Sequence, residues 1–364
     1  MSVAGDVLRE IYRAEQLPVL QNKMFHSAAA ARACTRGDVV LVQSSRTGLI
    51  FNQAFRPELV GYDADYQNEQ GLSAAFSRHL DAVLGVMQRH FAGATLIEVG
   101  CGKGLFLEHL LANGFDVTGL DPTYEGSNPR VLRRFFTPEL ALRADGLVLR
   151  HGLEHLGDPL AFLAGLREAN GGAGRIYIEV PCLDWIAAHH AWFDIFYEHV
   201  NYFRLADFER MFGTVHEAGR SFAGQYLYVV ADLATLRTPE RPASDEFRLP
   251  AGFLSAIDES RALLAAKGPG AARAIWGGAS KGVIFALFME RAGVPIETVI
   301  DINPAKQGRH LAATGLRVQS PEEALAHLPD GADVFVMNSN YRDEIEALTA
   351  HRFHCVTIER GNAP

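Results

Sequence analysis

The sequence contains few cysteines, and those few are scattered. Its 364 residues include four cysteines with no C-x-x-C pair, at Cys34, Cys101, Cys182 and Cys355. This spacing provides neither a disulfide framework nor the ligands of a zinc knuckle. It is typical of reduced thiols, and we therefore expect a cytoplasmic protein.

Long hydrophobic runs and an excess of positive charge are also missing. No run approaches the ~18 apolar residues of a membrane-spanning helix, and the N-terminus lacks the charged and apolar regions of a signal peptide. The net charge is −9, whereas binding to the nucleic-acid backbone needs a basic face. We therefore expect no membrane partner, no nucleic-acid partner and a small-molecule substrate. The sequence leaves the oligomeric state open.

The most informative stretch that is present is a glycine-rich turn. Residues 95–105 read Thr-Leu-Ile-Glu-Val-Gly-Cys-Gly-Lys-Gly-Leu. A predicted strand is followed by a turn that contains Gly100, Gly102 and Gly104, and a helical pattern begins directly after the turn. Glycines adopt positive φ and let a ligand lie against the backbone, and the following helix directs free N–H groups at that ligand. A second strand ends at Asp121, where a carboxylate is placed to accept both hydroxyls of a ribose.

This pattern, E-x-G-x-G-x-G followed by an acid, resembles the S-adenosylmethionine site of class I methyltransferases. Its spacing differs from the G-x-G-x-x-G of dinucleotide-binding enzymes. The resemblance and the loops expected at the same sheet edge predict these cofactor-binding residues: Glu98, Gly100, Cys101, Gly102, Gly104, Asp121, Pro122, Arg150 and His151. The alternative interpretation is a nucleotide-binding or degenerate Rossmann unit that performs no chemistry.

The order of predicted elements indicates an α/β protein with three parts. Residues 1–72 form a small N-terminal α+β region on the substrate side, in which residues 39–51 read as a hairpin. Residues 73–237 alternate strands with helices and predict a doubly wound, Rossmann-like methyltransferase domain. A polar, proline-containing linker follows, and residues 251–364 predict a second, C-terminal Rossmann-like domain.

Residues 183–203 are dense in aromatic and ionisable side chains. For most of the rings we expect an amphipathic helix that packs into the core. Glu198 and His199 are different, because adjacent ionisable residues among aromatics are costly to bury unless they have partners or a function. In the C-terminal part, Lys281 stands at a predicted helix start, where an anion-binding lysine and a solvated lysine are equally compatible with the pattern.

Several separated segments together resemble the C-methyltransferases that act on nucleotide-linked 4-keto-deoxysugars. The segments that carry this resemblance are residues 98–104, 150–159, 197–203, 276–282 and 301–309. The resemblance implies a small N-terminal domain, a methyltransferase domain and a C-terminal Rossmann-like domain around one pocket. It also implies that His199 is the general base and that Glu198, His155 and Tyr66 complete the catalytic site.

Two departures from that family affect the prediction. The family's N-terminal domain usually binds zinc through four cysteines, but Ser44 and Thr47 stand where one cysteine pair would precede Gly48. We therefore predict that no metal is bound. The alternative interpretation is that five ionisable residues act as metal ligands: His151, Glu154, His155, Glu198 and His199. The tyrosine region around Tyr66 also differs from the family pattern, so a related natural-product intermediate is as compatible with the sequence as a deoxysugar.

The predicted chemistry is the methylation of a carbon next to a carbonyl. Such a carbon must lose a proton to a base whose pKa lies near the working pH, as the ~6.5 of an unperturbed histidine does. We expect Glu198 to fix the tautomer of His199 or raise its pKa, and the Tyr66 hydroxyl to hydrogen-bond the enolate oxygen. Two alternatives remain open: an O- or N-methyltransferase acting on a natural-product intermediate, and a non-catalytic Rossmann-like binding protein.

Overall fold

The computed structural model describes residues 5–63, 65–266 and 272–360. The first part of the chain contains four strands and one short helix, with these bounds: β1 Leu8–Pro18, β2 Met24–Phe25, α1 Ala28–Arg32, β3 Arg36–Ser44 and β4 Ile50–Asn52. β3 and β4 pair antiparallel, with Gln43 opposite Ile50, which confirms the predicted hairpin. β1 pairs antiparallel with β3, although the sequence pattern did not predict this strand.

The middle part alternates helices and strands. Its elements are α2 Ala74–Phe91, β5 Thr95–Val99, α3 Leu105–Ala112, β6 Asp116–Leu120, β7 Val131–Leu132, β8 Gly146–Arg150, α4 Pro159–Ala169, β9 Arg175–Pro181, α5 Leu183–Ala188, β10 Asn201–Tyr202, α6 Leu205–Met211, β11 Val215–Ser221 and β12 Tyr226–Asp232. Seven of the strands form one sheet in the order β11-β12-β9-β8-β5-β6-β7. β9, β8, β5, β6 and β7 are parallel, whereas β12 is antiparallel to both of its neighbours.

The helix that leads into the glycine turn has a clear start and a buried face. The Ser73 hydroxyl caps α2 by accepting a hydrogen bond from the backbone N–H of Phe76 at 3.3 Å, which satisfies one of the otherwise free donors at a helix start. The predicted apolar positions Leu80, Val83 and Met87 are buried. Packing of this face beside β5 fixes where the glycine turn begins.

The last part repeats the same alternation. Its elements are α7 Ser255–Ala265, β13 Ala274–Trp276, α8 Lys281–Arg291, β14 Thr298–Ile300, β15 His310–Leu311, β16 Val318–Gln319, α9 Pro321–His327, β17 Asp333–Val336, α10 Arg342–Leu348 and β18 His354–Thr357. A fully parallel five-stranded sheet has the order β16-β14-β13-β17-β18. The chain is therefore an α/β protein with two Rossmann-like sheets and a small N-terminal α+β unit, as the sequence predicts.

Two short pairings tie the N-terminal strands to the rest of the molecule. β10, from the middle part, pairs with β4 and completes a four-stranded sheet. β15, from the last part, pairs with β2. The N-terminal unit thus bridges the two Rossmann-like units, and its loops reach the carboxyl ends of both sheets, where ligands gather in open α/β folds.

The prediction of one amphipathic helix over residues 183–203 is wrong. The α-helix α5 ends at Ala188, and His190 then adopts a φ of +50°, which a right-handed helix does not allow. A single 3-10 turn follows over Trp192–Asp194. Beyond that point Trp192 packs against the last part of the chain, with its ring stacked on Phe285 at a centroid distance of 5.6 Å. The rings are buried as expected, but through contacts between units rather than along one helix face.

In the part of the chain that the structure describes, no helix combines the length and the apolar character that crossing a membrane requires.

Candidate active site

A cavity of about 420 Å³ lies where the three parts meet. The N-terminal unit contributes Asn22 and Tyr66 to its lining, and the glycine turn contributes Gly100 to Lys103. The other predicted site residues that line it are Glu98, Arg150, His151, His155 and His199. The last part of the chain supplies a third wall, which includes Trp276, residues 279–281 and Asp301. Residues far apart in sequence therefore face one shared cavity.

The glycine turn has the open geometry that a bound ligand needs. Gly100, Gly102 and Gly104 have φ values of +71°, +54° and +82°, which only glycine adopts without strain. A Cβ built on Gly100 or Gly102 would meet no heavy atom within 4 Å. The backbone is thus exposed to the cavity at the start of α3, as required for close approach of a cofactor.

Asp121 lies directly beside this turn and braces it. One carboxylate oxygen accepts a hydrogen bond from the backbone N–H of Gly102 at 2.8 Å, and the other accepts from the backbone N–H and the hydroxyl of Thr123. Pro122 is exposed and, like Gly104 and Asp121, lies outside the described lining of the cavity. Contact of these residues with a ribose remains a prediction.

Glu98 is a buried carboxylate with an unused oxygen. Its side chain is 4% exposed and lines the cavity, and its Oε2 has no hydrogen-bond partner among the described residues. Burial raises the pKa of Glu98 to about 7, and the Asp121 charge adds to this, although the Arg150 charge opposes it. A buried carboxylate without a partner is costly, and a positively charged group of S-adenosylmethionine would supply one. The residues present therefore fit this cofactor.

Replacing Glu98 with glutamine is expected to have opposite effects on stability and binding. Because folding raises the pKa of Glu98 above its unfolded value, the ionised form costs stability, and this cost is absent at acidic pH and grows as pH rises towards about 7. The variant should therefore melt higher than the wild type at pH 8 but not at pH 4, as measured by calorimetry. Its affinity for S-adenosylhomocysteine should fall at least ~10-fold. Unchanged affinity would contradict this role for Glu98.

Arg150 and His151 are held by a buried carboxylate that the sequence analysis missed. Glu179, at the end of β9, is fully buried and lies 2.8 Å from Arg150 Nη2 and 3.1 Å from His151 Nε2. The Tyr177 hydroxyl donates to it at 2.9 Å, and His79 lies 3.2 Å away. Burial alone would raise the pKa of Glu179, but the Arg150 charge and the histidine contacts hold it well below its usual range. These contacts hold the side chains of Arg150 and His151, both of which line the cavity.

Glu198 and His199 point to different partners, contrary to the expected pairing. The Glu198 carboxylate accepts from the Tyr66 hydroxyl at 2.7 Å and from the Gln21 backbone N–H at 3.1 Å. Glu198 is not among the groups that act on the pKa of His199. Glu198 lies in a bend of the backbone that precedes β10, and its carboxylate orients Tyr66 instead.

His199 has Glu154 as its nearby acid. The ligand atoms of Glu154, His155 and His199 all lie within 4.8 Å of one another, and the rings of His155 and His199 are 5.0 Å apart. Burial lowers the pKa of His199 to about 3, helped by the His155 charge and opposed by Glu154. His199 is therefore a neutral imidazole at physiological pH. The trio is also close enough to share a cation, and the expectation of no metal remains a prediction.

His155 has a fixed tautomer. Its Nδ1 lies 2.9 Å from the backbone carbonyl of Glu198, and since a carbonyl only accepts, this nitrogen must carry the proton. The other ring nitrogen then faces the Glu154 carboxylate at 4.0 Å.

The C-terminal unit repeats the hydrogen bonding of the first glycine turn. The Gly278 backbone N–H donates to Asp301 Oδ2 at 2.8 Å, and the Asn303 N–H donates to Asp301 Oδ1 at 2.8 Å. These bonds match those that Asp121 makes in the first unit. One difference is that Lys306 Nζ lies 3.1 Å from Asp301. A second glycine turn thus opens onto the same cavity.

Neither interpretation of Lys281 describes its position. Its ammonium lies 3.1 Å from Asp194, donates to Gln225 Oε1 at 3.1 Å and sits 4.9 Å from the centre of the Trp185 ring. It is therefore a partnered cation inside the cavity wall rather than a solvated or free anion-binding lysine. No local sequence pattern links Lys281 to these partners, because all three lie in the middle part of the chain.

Known proteins with similar sequences are methyltransferases. The tRNA U34 carboxymethyltransferase of Dichelobacter nodosus is 27% identical over 205 residues, which are 49% of this chain. The ubiquinone biosynthesis O-methyltransferase of Cereibacter sphaeroides is 36% identical over 118 residues, which are 29% of this chain. The matched regions cover 64% and 45% of the two relatives, less than two thirds of either.

Solved structures with similar folds include the PH0226 protein of Pyrococcus horikoshii and the 1,6-didemethyltoxoflavin-N1-methyltransferase of Burkholderia thailandensis with bound S-adenosylhomocysteine. The first has a TM-score of 0.38 and 13% identity, and covers 47% of this chain and 99% of its own. The second has a TM-score of 0.33 and 16% identity, and covers 50% of this chain and 95% of its own. These TM-scores are too low to add to the assignment.

Two family models match the chain, and together they span most of it. A methyltransferase domain matches residues 62–219, and a C-methyltransferase C-terminal domain matches residues 253–354. The first range contains the glycine turn and the Glu98 carboxylate, and the second contains the repeated turn. The chain therefore contains a methyltransferase domain followed by a C-methyltransferase C-terminal domain, and S-adenosylmethionine is its cofactor.

Proposed function

We propose that this methyltransferase methylates a carbon next to a carbonyl group in a small, nucleotide-linked metabolite, with His199 as the general base. The observation that carries the proposal is the shared cavity, in which the neutral imidazole of His199 faces the same space as the glycine turn. Methylation of a carbon acid needs a base at the methyl-transfer site. In this proposal, other side chains of the cavity supply partners for the imidazolium and for the enolate that develop during the reaction.

S-adenosylmethionine supplies the methyl group that is transferred from sulfur. His199 removes the proton from the substrate carbon, so that a C–H bond breaks while the new C–CH₃ bond forms and S-adenosylhomocysteine leaves. Burial lowers the pKa of His199 to about 3 even with the Glu154 carboxylate opposing the shift, which is well below the near-neutral value expected from the sequence. The imidazolium that results therefore depends on its contact with Glu154.

In this proposal, Tyr66 donates a hydrogen bond to the substrate oxygen. Its hydroxyl donates to Glu198 at 2.7 Å, and burial raises the pKa of Glu198 above its usual value. When Glu198 is protonated it donates to Tyr66, and the phenolic proton becomes available to an enolate oxygen. Loss of such a donor typically slows a reaction ~10²–10³-fold.

The second glycine turn supports a nucleotide-linked substrate. Its glycine N–H to aspartate bond has the same length as that of the first turn, 2.8 Å in both, and Asp301, Asn303 and Lys306 line the cavity. A nucleoside held there would place the group attached to it within the enclosed space, towards His199. The Lys306 ammonium lies 3.1 Å from Asp301, so it offsets the carboxylate charge that would otherwise repel a phosphate.

Product analysis tests the proposed reaction directly. With ¹³C-methyl-labelled S-adenosylmethionine and a nucleotide-linked 4-keto-deoxysugar, we expect a new C–CH₃ signal in the ¹³C NMR spectrum of the product. A C–CH₃ and an O–CH₃ or N–CH₃ carbon resonate far apart, so one spectrum separates the proposal from the alternative chemistry. An O–CH₃ or N–CH₃ product, or no label transfer to any keto-sugar tested, would contradict it.

A further inference from the structure

A chain of hydrogen bonds joins the C-terminal glycine turn to Glu198. The Ser280 hydroxyl donates to Asn22 Oδ1 at 2.8 Å, the Asn22 amide donates to the Tyr66 oxygen at 3.3 Å, and the Tyr66 hydroxyl donates to Glu198 Oε2 at 2.7 Å. Ser280, Asn22 and Tyr66 all line the cavity. The four residues come from all three parts of the molecule.

The direction of this chain is fixed by the carboxylate at its end. An ionised carboxylate only accepts hydrogen bonds, so Tyr66 must use its single proton on Glu198. The phenol oxygen can then only accept from Asn22, which turns the amide NH₂ towards Tyr66 and the amide oxygen towards Ser280. Asn22 is therefore unable to take the phenolic proton, which can go only to Glu198 or to a substrate oxygen.

Ser280, the first residue of this chain of hydrogen bonds, has a strained backbone. Ser280 has φ +43° and ψ −107°, a conformation that residues with a Cβ rarely adopt and that costs energy to hold. Its backbone N–H donates to the Gln21 carbonyl at 3.3 Å, and Gln21 in turn holds Glu198 through its own N–H. Two parallel connections thus link the start of α8 to the carboxylate that orients Tyr66.

We propose that Asn22, held by Ser280, is a positioning residue that directs the phenolic proton of Tyr66 towards the substrate oxygen. This inference rests on the proposed function, in which Tyr66 donates to an enolate. It goes further in assigning a role to two residues outside the methyltransferase domain. The correct direction of the Tyr66 proton then depends on contact between the N-terminal unit and the C-terminal turn.

The test replaces Asn22 with aspartate, which has the same shape but cannot donate when ionised. Tyr66 would then face two acceptors, and we expect kcat to fall at least ~10-fold, with the KM for S-adenosylmethionine unchanged. As pH falls from 8 to 5, the introduced carboxylate should protonate and regain a donor, so that the ratio of N22D to wild-type kcat rises. His199 stays neutral over this range. The other titratable groups that shift the pKa values of Tyr66 and Glu198 are Tyr62, Glu154 and His155. Both proteins contain these groups.

Asn22→Ala supplies the comparison that separates positioning from structure. It should remain slow at every pH, because alanine cannot regain a donor, and Lys23→Gln in the same segment should keep wild-type kcat. Equal losses in N22D and N22A at all pH values, or no loss in N22D, would overturn the inference.

A second readout does not depend on turnover. In protein labelled with 3-fluorotyrosine, with the Tyr66 signal assigned through Tyr66→Phe, the ¹⁹F resonance should shift in both N22D and Ser280→Ala. A wild type that makes no C-methyl product while this resonance shifts would refute the proposed function alone. A wild type that makes the product while the resonance stays fixed in both variants would refute the inference alone.

Discussion

Replacing His199 with alanine is expected to lower turnover at least ~100-fold, the usual contribution of a general base. The loss should be similar from about pH 5 to about pH 8, because burial lowers the pKa of His199 to about 3 and the wild-type imidazole is neutral throughout this range. Binding of S-adenosylhomocysteine should be unchanged, since the residues that we propose to hold the cofactor are the glycine turn and Glu98. Single-turnover methyl transfer and titration calorimetry measure the two effects separately.

A neighbouring histidine provides the matched control for this variant. His189 stacks on Trp185 with a ring distance of 4.5 Å and lies outside the described lining of the cavity. His189→Ala should therefore keep turnover near the wild-type value. Near-normal turnover in His199→Ala would remove His199 from the role of base, and a loss that shrinks as pH falls below ~6.5 would contradict the lowered pKa of His199.

Replacing Glu179 with glutamine is expected to destabilise the protein by about 3–5 kcal/mol, the usual cost of removing one partner from a buried ion pair. Glu179 is fully buried, and its carboxylate faces Arg150 at 2.8 Å and His151 at 3.1 Å. Glutamine keeps the volume but leaves the Arg150 charge without compensation. Urea unfolding at neutral pH should show the loss as a lower free energy of unfolding.

The pH dependence of this loss follows from the lowered pKa of Glu179. A carboxyl whose pKa is lower in the folded state stabilises the protein above its unfolded pKa, and this contribution is lost as pH falls through the folded value. The gap between wild type and Glu179→Gln should therefore be full at pH 7 and narrow in strong acid. Glu10→Gln, which breaks an exposed pair with Arg13, should leave the unfolding curve unchanged. A Glu179→Gln protein as stable as the wild type would contradict this account of the buried pair.

Elements with a strong local period were predictable from the sequence. The helix over residues 74–91 has its apolar residues at helical spacing and a serine cap, and the strand of residues 274–276 has the predicted bounds. In both cases the residues that decide the structure are close together in the chain. The two glycine turns were predictable for the same reason, because positive φ is a property of single residues.

Elements that depend on distant partners were not predictable. β1 and β11 are edge strands, and half or more of their residues are not buried, so neither has the continuous apolar run of a buried strand. The course of residues 183–203 was predicted wrongly because the rings pack on α8, from the last part of the chain. Local periodicity contains no information about such contacts.

The sequence alone determined the two Rossmann-like units, the glycine turn beside Glu98 and the set of ionisable residues available for chemistry. The tertiary structure decided how those residues pair: Glu198 with Tyr66, Glu154 with His199, and Glu179 with Arg150 and His151. It also placed Asn22 and Ser280 beside Tyr66. The physical reason is that the partners lie far apart in the sequence, and only folding brings the distant carboxylates and hydroxyls within hydrogen-bond distance.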